Sequence, residues 1–305
     1  MRHFITIEDV SDDDLVTIYS LATAPIDDEL LRGQGVALVF ELASLRTRAS
    51  SATAVHDLGG TSTFFTDHEV GIDQRESAED VGRTLCALYA LCGMRVRNHG
   101  IFTRIRAASD DQMALINLLS NLAHPTQAVA DVLTLAEHFA DGDVKGLRGR
   151  TLAYVGDATN VTRSLAVALL RLGVNVNVGA PEGYQLQPGG VEDPYAIAGG
   201  GTLRLFDNAA DAVRGVDTVY TDTWVSMGAE ASAEKRRQDL AHFQVNAELL
   251  TLAQAHAVVL HCLPAHRGEE ITDDVLDSAR SLVWRQVFHR RSAMVGVLRW
   301  IKEEE

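Results

Sequence analysis

The sequence predicts an α/β protein of two domains, each with a mainly parallel sheet flanked by helices. Three observations carry that expectation. Apolar, strand-like runs alternate with helical stretches in two successive series, the order that favours parallel sheets. A chain of 305 residues is long enough to divide into two cores. Polar residues capable of chemistry recur directly after the apolar runs, where parallel strands end and where open α/β sheets bind ligands.

The first strong strand is Val36 to Phe40, after a Gly-Gln-Gly turn. It leads through ELASLRTRASS into a helix closed by Leu58-Gly59-Gly60. Residues 61 to 80 hold few periodic apolar positions and read as a strand followed by a polar loop free to move. A helix over 81 to 91, a short strand around Gly93 to Val96 and another at Leu115 to Asn117 follow. Pro125 then opens a helix, a position where its missing N–H would have been unpaired anyway. Ala128, Val132, Leu135 and Phe139 form its buried stripe, spaced four, three and four. The second series comprises strand Thr151 to Val155, helix Ser164 to Leu172 and strands Val174 to Val178, Thr218 to Thr221 and Ala257 to Leu260. Residues 182 to 201, rich in Gly and Pro, read as a loop, and the tail from Val283 contains a helix.

Composition narrows the function classes. With 46% hydrophobic residues and no apolar run near the length of a membrane span, the chain reads as soluble. MRHFITIEDVSDDD places acids where a signal peptide needs an apolar stretch, which predicts a cytoplasmic protein. Cys86, Cys92 and Cys262 are too few and too irregular for a disulfide scaffold or structural zinc. A formal charge of -15 argues against general nucleic-acid binding. The basic residues are nearly all arginine, whose rigid fork of donors suits phosphate and carboxylate.

Five short segments stand out. SLRTR, residues 44 to 48, offers hydroxyls from Ser44 and Thr47 and charged donors from Arg46 at a helix N-terminus, where free N–H groups and the dipole favour anions. Surface loops also carry such residues. In HPTQAVAD, His124 and Gln127 share one face of a helix mouth, as a ligand grip or as a cap and a solvated side chain. GDATNVTRS places Asp157 and Asn160 just beyond a strand, and DTWVSMG puts Asp222 directly after another. HCLPAHRGEE sets His261, Cys262 and Pro264 after the last strand, either as a ligand-facing turn or as a strand stop with a small buried thiol.

FELASLRTR with HDLGG, then HPTQAVADVLT, GDATNV, DTWVSMG and HCLPAHRGEEIT resemble, in order and spacing, the ornithine and aspartate carbamoyltransferase family. HCLP with the WVSMG turn is similar to the ornithine branch. The resemblance spans about residues 34 to 298. It implies an active site in the interdomain cleft, binding of carbamoyl phosphate before the amino acid, and a homotrimer. It implies residues 1 to 138 as the carbamoyl-phosphate domain, 139 to 283 as the amino-acid domain, and a C-terminal helix of about 284 to 305 packed back onto the first.

The implied carbamoyl-phosphate contacts are Ser44, Arg46, Thr47, Arg95, His124, Gln127 and Arg290. The implied amino-acid contacts are Asn160, Asp222, Ser226, Met227 and Cys262. Arg95, His124, Asp222, Cys262 and Arg290 are the implied catalytic residues, and the implied amine is the δ-amine of L-ornithine. The chemistry calls for neither a metal nor a cofactor. An attacking amine must lose its proton, which a nearby carboxylate or thiolate assists. Charge gathering on the carbonyl oxygen is met by cationic donors.

The chain departs from the family pattern in two places. Leu42, Ala43 and Leu45 stand where the family shows lysine, proline and threonine, and Val287, Phe288 and His289 precede Arg290 where it shows alanine, glutamate and asparagine. Leu45 is expected to point into the packing beneath the loop while Ser44, Arg46, Thr47 and backbone N–H groups close on the phosphate. These departures leave room for a non-catalytic relative. Arg163 and the loop 182 to 201 leave room for another diamino acid or amine.

Overall fold

A computed structural model describes residues 1–26, 29–186, 200–225 and 230–303. The chain divides into two compact units, Met1–Leu133 with Phe288–Glu305, and Thr134–Val287. In chain order the first contains α1 (Asp12–Thr23), β1 (Gly35–Phe40), α2 (Leu45–Asp57), β2 (Thr61–Thr66), α3 (Asp67–Val70), α4 (Ala78–Cys86), β3 (Leu91–Arg95), α5 (Gly100–Ala108), β4 (Ala114–Leu119) and the first half of α6 (Pro125–Ala140). The second contains β5 (Thr151–Val155), α7 (Asn160–Arg171), β6 (Asn175–Gly179), β7 (Leu203–Phe206), α8 (Ala209–Val213), β8 (Thr218–Thr221), α9 (Ala233–Leu240), α10 (Ala247–Leu250), β9 (Val258–His261) and α11 (Asp273–Leu276). The last helix, α12 (Val283–Lys302), starts in the second unit and finishes in the first.

Both sheets are parallel throughout, in the orders β2-β1-β3-β4 and β7-β6-β5-β8-β9. Strands covered on both faces read as continuous apolar runs, which is why GVALVF and VVLH are legible as strands. In the first unit Ala37, Val39, Cys92, Met94 and Leu115 pack with Ile101, Phe102 and Ile105. In the second, Val155, Val219 and Val259 pack with Trp224, Phe243 and Leu276. Trp300 of α12 meets Phe4 edge-on at 6.3 Å, and Phe4 bridges to Ile116 of β4, so the tail belongs to the first core.

Several elements differ from the sequence reading. The expected helix over 81 to 91 starts earlier, where Ser77 accepts from the Asp80 N–H, and stops at Cys86. Leu88 beyond it is 70% exposed, so the apolar letters there do not extend the buried face. Of the strand and free polar loop expected over 61 to 80, the strand is present as β2, but the short helix α3 and the start of α4 occupy part of the loop. Arg104 ties that stretch down by pairing with Asp73 at 2.6 Å and Glu79 at 2.5 Å. The helix expected from Ser164 begins at Asn160, opened by Thr159 with Thr162 in a capping box. His261 is the last residue of β9, paired with Thr221, rather than the first of a turn. Most of the loop expected over 182 to 201 lies outside the described residues.

Candidate active site

In the first unit, β1 ends in Phe40 and the chain turns into α2, whose N-cap is Ser44. Ser44 Oγ accepts from the Thr47 N–H at 3.3 Å and donates to Thr47 Oγ1 at 3.0 Å. The Thr47 hydroxyl is buried and receives two guanidinium groups. Arg95 Nη1, at the end of β3, stands 3.5 Å away, and Arg290 Nη2, on α12, stands 3.1 Å away. The ladder aligns Arg95 with Phe40, and the β3–β4 register shifts between Met94 and Arg95, at the mouth of the sheet.

Gln127, in the first turn of α6, accepts from Arg290 Nη1 through Oε1 and donates through Nε2 to Asp131 at 2.7 Å. The carbonyl of His124 accepts from the Gln127 and Ala128 N–H groups, which fixes the histidine at the helix mouth. Asn117 Nδ2 anchors the approach by donating to the Ala123 carbonyl at 3.3 Å. Burial, reinforced by the charges of Arg290 and Arg95, holds the His124 imidazole well below its usual pKa. It is therefore neutral near pH 7, a donor through one nitrogen only. Arg46 is half-buried.

Leu45 contradicts its expected place. Its side chain is 79% exposed, because the first helical residue after the Ser44 cap points outward while Thr47 takes the inward position. Phe288 is also exposed, His289 is buried, and their rings meet edge-on at 5.4 Å.

In the second unit, β5 runs into Gly156, whose φ of +121° gives the sharp turn that presents Asp157. Asp157 is buried and pairs with Arg236, which also donates to the Trp224 carbonyl at 3.3 Å. Burial pushes the Asp157 carboxyl up, nearby Asp222 adds to the rise, and Arg236 opposes both. Asn160, half-buried, opens α7 with Oδ1 accepting from the Val161 N–H at 3.0 Å. Asp222 follows β8, buried, and accepts from the Thr223 N–H at 2.7 Å.

The neighbouring strand end supplies the thiol. Fully buried His261 meets Glu270 through Nε2 at 3.0 Å and accepts from the Leu263 N–H through Nδ1 at 2.8 Å. Its backbone N–H makes a third tie, to Gln286 Oε1 at 2.9 Å. The next residue, half-buried Cys262, is thereby set beside Asp222: ligand atoms of Asp222, His261 and Cys262 lie within 4.8 Å of one another. Although these three types can ligate a metal, both His261 ring nitrogens are engaged within the protein, so a cation there would have to displace Glu270 or the Leu263 N–H. The arrangement fits a carboxylate and a thiol held ready for an amine. Ser226 and Met227 lie outside the described residues.

The structure thus gathers Ser44, Thr47, Arg95, Gln127 and Arg290 in one unit, with His124 at the same helix mouth, and Asp222 with Cys262 in the other. Sequence reasoning passed over Asp131, Arg236 and Glu270. The i, i+4 spacing of Gln127 and Asp131 was a readable signal. Nothing local pairs Arg236 with Asp157 or Glu270 with His261, because those contacts depend on loop return paths.

Two parallel α/β units, one with buried arginines converging at a helix mouth and one with a carboxylate–thiol pair at its strand ends, define a two-domain group transferase. Residues 2–137 match the carbamoyl-P binding domain of aspartate/ornithine carbamoyltransferases, and residues 148–301 match the Asp/Orn binding domain. The chain belongs to the aspartate/ornithine carbamoyltransferase family. It is 37% identical over 304 residues to the ornithine carbamoyltransferase of Methanocorpusculum labreanum, covering 97% of each chain. The solved ornithine carbamoyltransferase of Pyrococcus furiosus superposes with a TM-score of 0.88 at 34% identity, covering 97% of this chain and 96% of that one. The anabolic ornithine carbamoyltransferase of Campylobacter jejuni gives a TM-score of 0.91 at 27% identity over the whole of both chains.

Proposed function

We propose that the protein transfers the carbamoyl group of carbamoyl phosphate to the δ-amine of L-ornithine, giving L-citrulline and phosphate. The observation that carries the choice of amine is the Asp222–Cys262 pair in the unit that matches the Asp/Orn binding domain. The Asp222 carboxylate repels the side-chain carboxylate of aspartate and attracts an ammonium group. Full-length relatives named as ornithine carbamoyltransferases support the same choice.

On this reading Ser44, Arg46, Thr47 and the N–H groups of α2 hold the phosphate. Arg95, Arg290, neutral His124 and Gln127 hold the carbamoyl group. Asn160, Ser226 and Met227 hold the amino acid by its backbone groups, and Asp222 with Cys262 discharges and orients its δ-amine. As the nitrogen lone pair attacks the carbamoyl carbon, negative charge grows on the carbonyl oxygen and is met by Arg95, Arg290 and His124. Collapse expels phosphate, whose charge Arg46 and the helix N-terminus already offset. Holding two small substrates in contact supplies much of the acceleration.

The reading includes a donor domain of residues 1 to 138 with the tail of 284 to 305, an amino-acid domain of 139 to 283, a homotrimer and a cytoplasmic location. The described helices include none long and apolar enough to cross a membrane. Purified protein supplied with both substrates should release a ureido product and phosphate in equal amounts. Ornithine should be preferred at least about tenfold over other amines in kcat/KM, a difference of about 1.4 kcal/mol at the transition state. No ureido product across a pH series would overturn the reading.

A further inference from the structure

The HPTQAVAD segment ends on an aspartate that the reaction as described leaves idle. Asp131 is wholly buried in α6, a costly place for a carboxylate unless it is paired. Its Oδ1 accepts from Gln127 Nε2 at 2.7 Å, and Gln127, itself buried, accepts from Arg290 through Oε1. Arg290 continues to Thr47, which Arg95 also reaches. An ordinary helical Gln–Asp pair sits on a solvated face. This one lies within a buried chain of contacts that ends on two guanidinium groups.

A primary amide has two ends of nearly equal shape and opposite polarity. Turning the Gln127 amide over would set its NH2 against the donors of Arg290 and its oxygen against the carboxylate of Asp131. We propose that Asp131 is a positioning residue: it locks the Gln127 amide with its oxygen toward Arg290 and the donor site, and so sets selectivity for a carbamoyl group over an acyl group. The second lone pair of Gln127 Oε1 then accepts from the carbamoyl NH2, a donor that the methyl of an acetyl group lacks. The inference rests on the carbamoyl-transfer reading.

The test compares full-length protein with Asp131→Asn and Asp131→Leu, measuring carbamoyl phosphate KM and kcat with ornithine, and inhibition by acetyl phosphate and by inorganic phosphate. If the unaltered protein forms no ureido product, the parent reading falls, apart from any result with the variants. Given turnover, the amide introduced by Asp131→Asn accepts either end of the Gln127 amide, so the preference for carbamoyl over acetyl phosphate should fall at least about threefold. Asp131→Leu removes the acceptor, so that preference should fall at least about tenfold and kcat by a similar factor, with inorganic phosphate inhibition changed less than about twofold. An unchanged preference in either variant, or phosphate inhibition lost in step with kcat, would make Asp131 a plain structural residue. Should the leucine variant fail to fold, the preference ratio of the Asp131→Asn protein alone decides.

Discussion

Leu45 is the residue whose position differs most from what its chemistry suggests. A leucine in the first turn of a helix is expected to seek the core, yet its isobutyl group stands in solvent directly after the Ser44 cap. The inward-facing contacts fall to Thr47 instead. Replacing the exposed leucine should leave the fold untouched, so Leu45→Thr isolates the effect of one hydroxyl. If that hydroxyl reaches the bound phosphate, calorimetry should show carbamoyl phosphate binding tighter by up to about tenfold, or about 1.4 kcal/mol. Unchanged affinity would mean that the arginines already satisfy that oxygen. His124 gives a second residue-scale expectation. Its pKa in the fold lies below the usual 6.5, so the unfolded chain takes up its proton first as pH falls. The native state should therefore be favoured above pH 6.5 and lose stability below it. His124→Gln should make the acid side of the Tm-versus-pH curve shallower; an identical slope would show that other groups, such as His3 with its lowered pKa, account for the loss.

Among the elements, α9 and the strand-end turns control the geometry of the second unit. Arg236 joins α9 to the turn after β5 through Asp157, and its guanidinium lies 5.4 Å from the Tyr184 ring. Tyr184 in turn donates to Asp239, also on α9, at 2.7 Å. Arg236→Gln leaves Asp157 buried without its counter-charge. The expected loss is about 2 kcal/mol at about pH 8, where the carboxylate must stay ionised, smaller than for a fully buried pair because Arg236 is partly exposed. The sign follows from the raised Asp157 pKa: protonation removes the penalty, so the gap between variant and unaltered protein should narrow as pH falls to about 5. Denaturant titrations at both pH values check this, and a gap independent of pH would exclude the charge account. The turn after β9 works by another route, with Glu270, the Leu263 N–H and Gln286 fixing His261 so that Cys262 lies beside Asp222.

At the scale of the molecule, the fold divides its chemistry between two cores. The first carries the arginine cluster and the C-terminal part of α12, and the second carries the acid–thiol pair. A net charge of -15 surrounds a site that must attract an anionic donor, so local arginines have to outweigh the overall field. The proposed trimer has a direct check: light scattering at micromolar concentration should return three times the 33.1 kDa chain mass. A mass equal to one chain would remove the trimer from the proposal and leave the carbamoyl-transfer assay to stand by itself.

The sequence alone determined the two parallel sheets, since strands buried on both faces are written as unbroken apolar runs such as GVALVF and VVLH. It also determined where the chemistry had to be sought, because Asp222 and Cys262 sit within a residue or two of the strand ends, and Ser44 and Gln127 at helix starts. Short helices such as α9 and α10 were not legible, since their apolar positions are too few to show a period. Tertiary structure alone decided which partners meet. Arg290 is 243 residues from Thr47, Arg236 is 79 from Asp157, and the outward turn of Leu45 depends on which residue of α2 faces the core. Local sequence encodes period and caps through contacts within one helical turn or along one strand; pairings across such separations are fixed only when each sheet assembles and brings its distant strand ends and helices together.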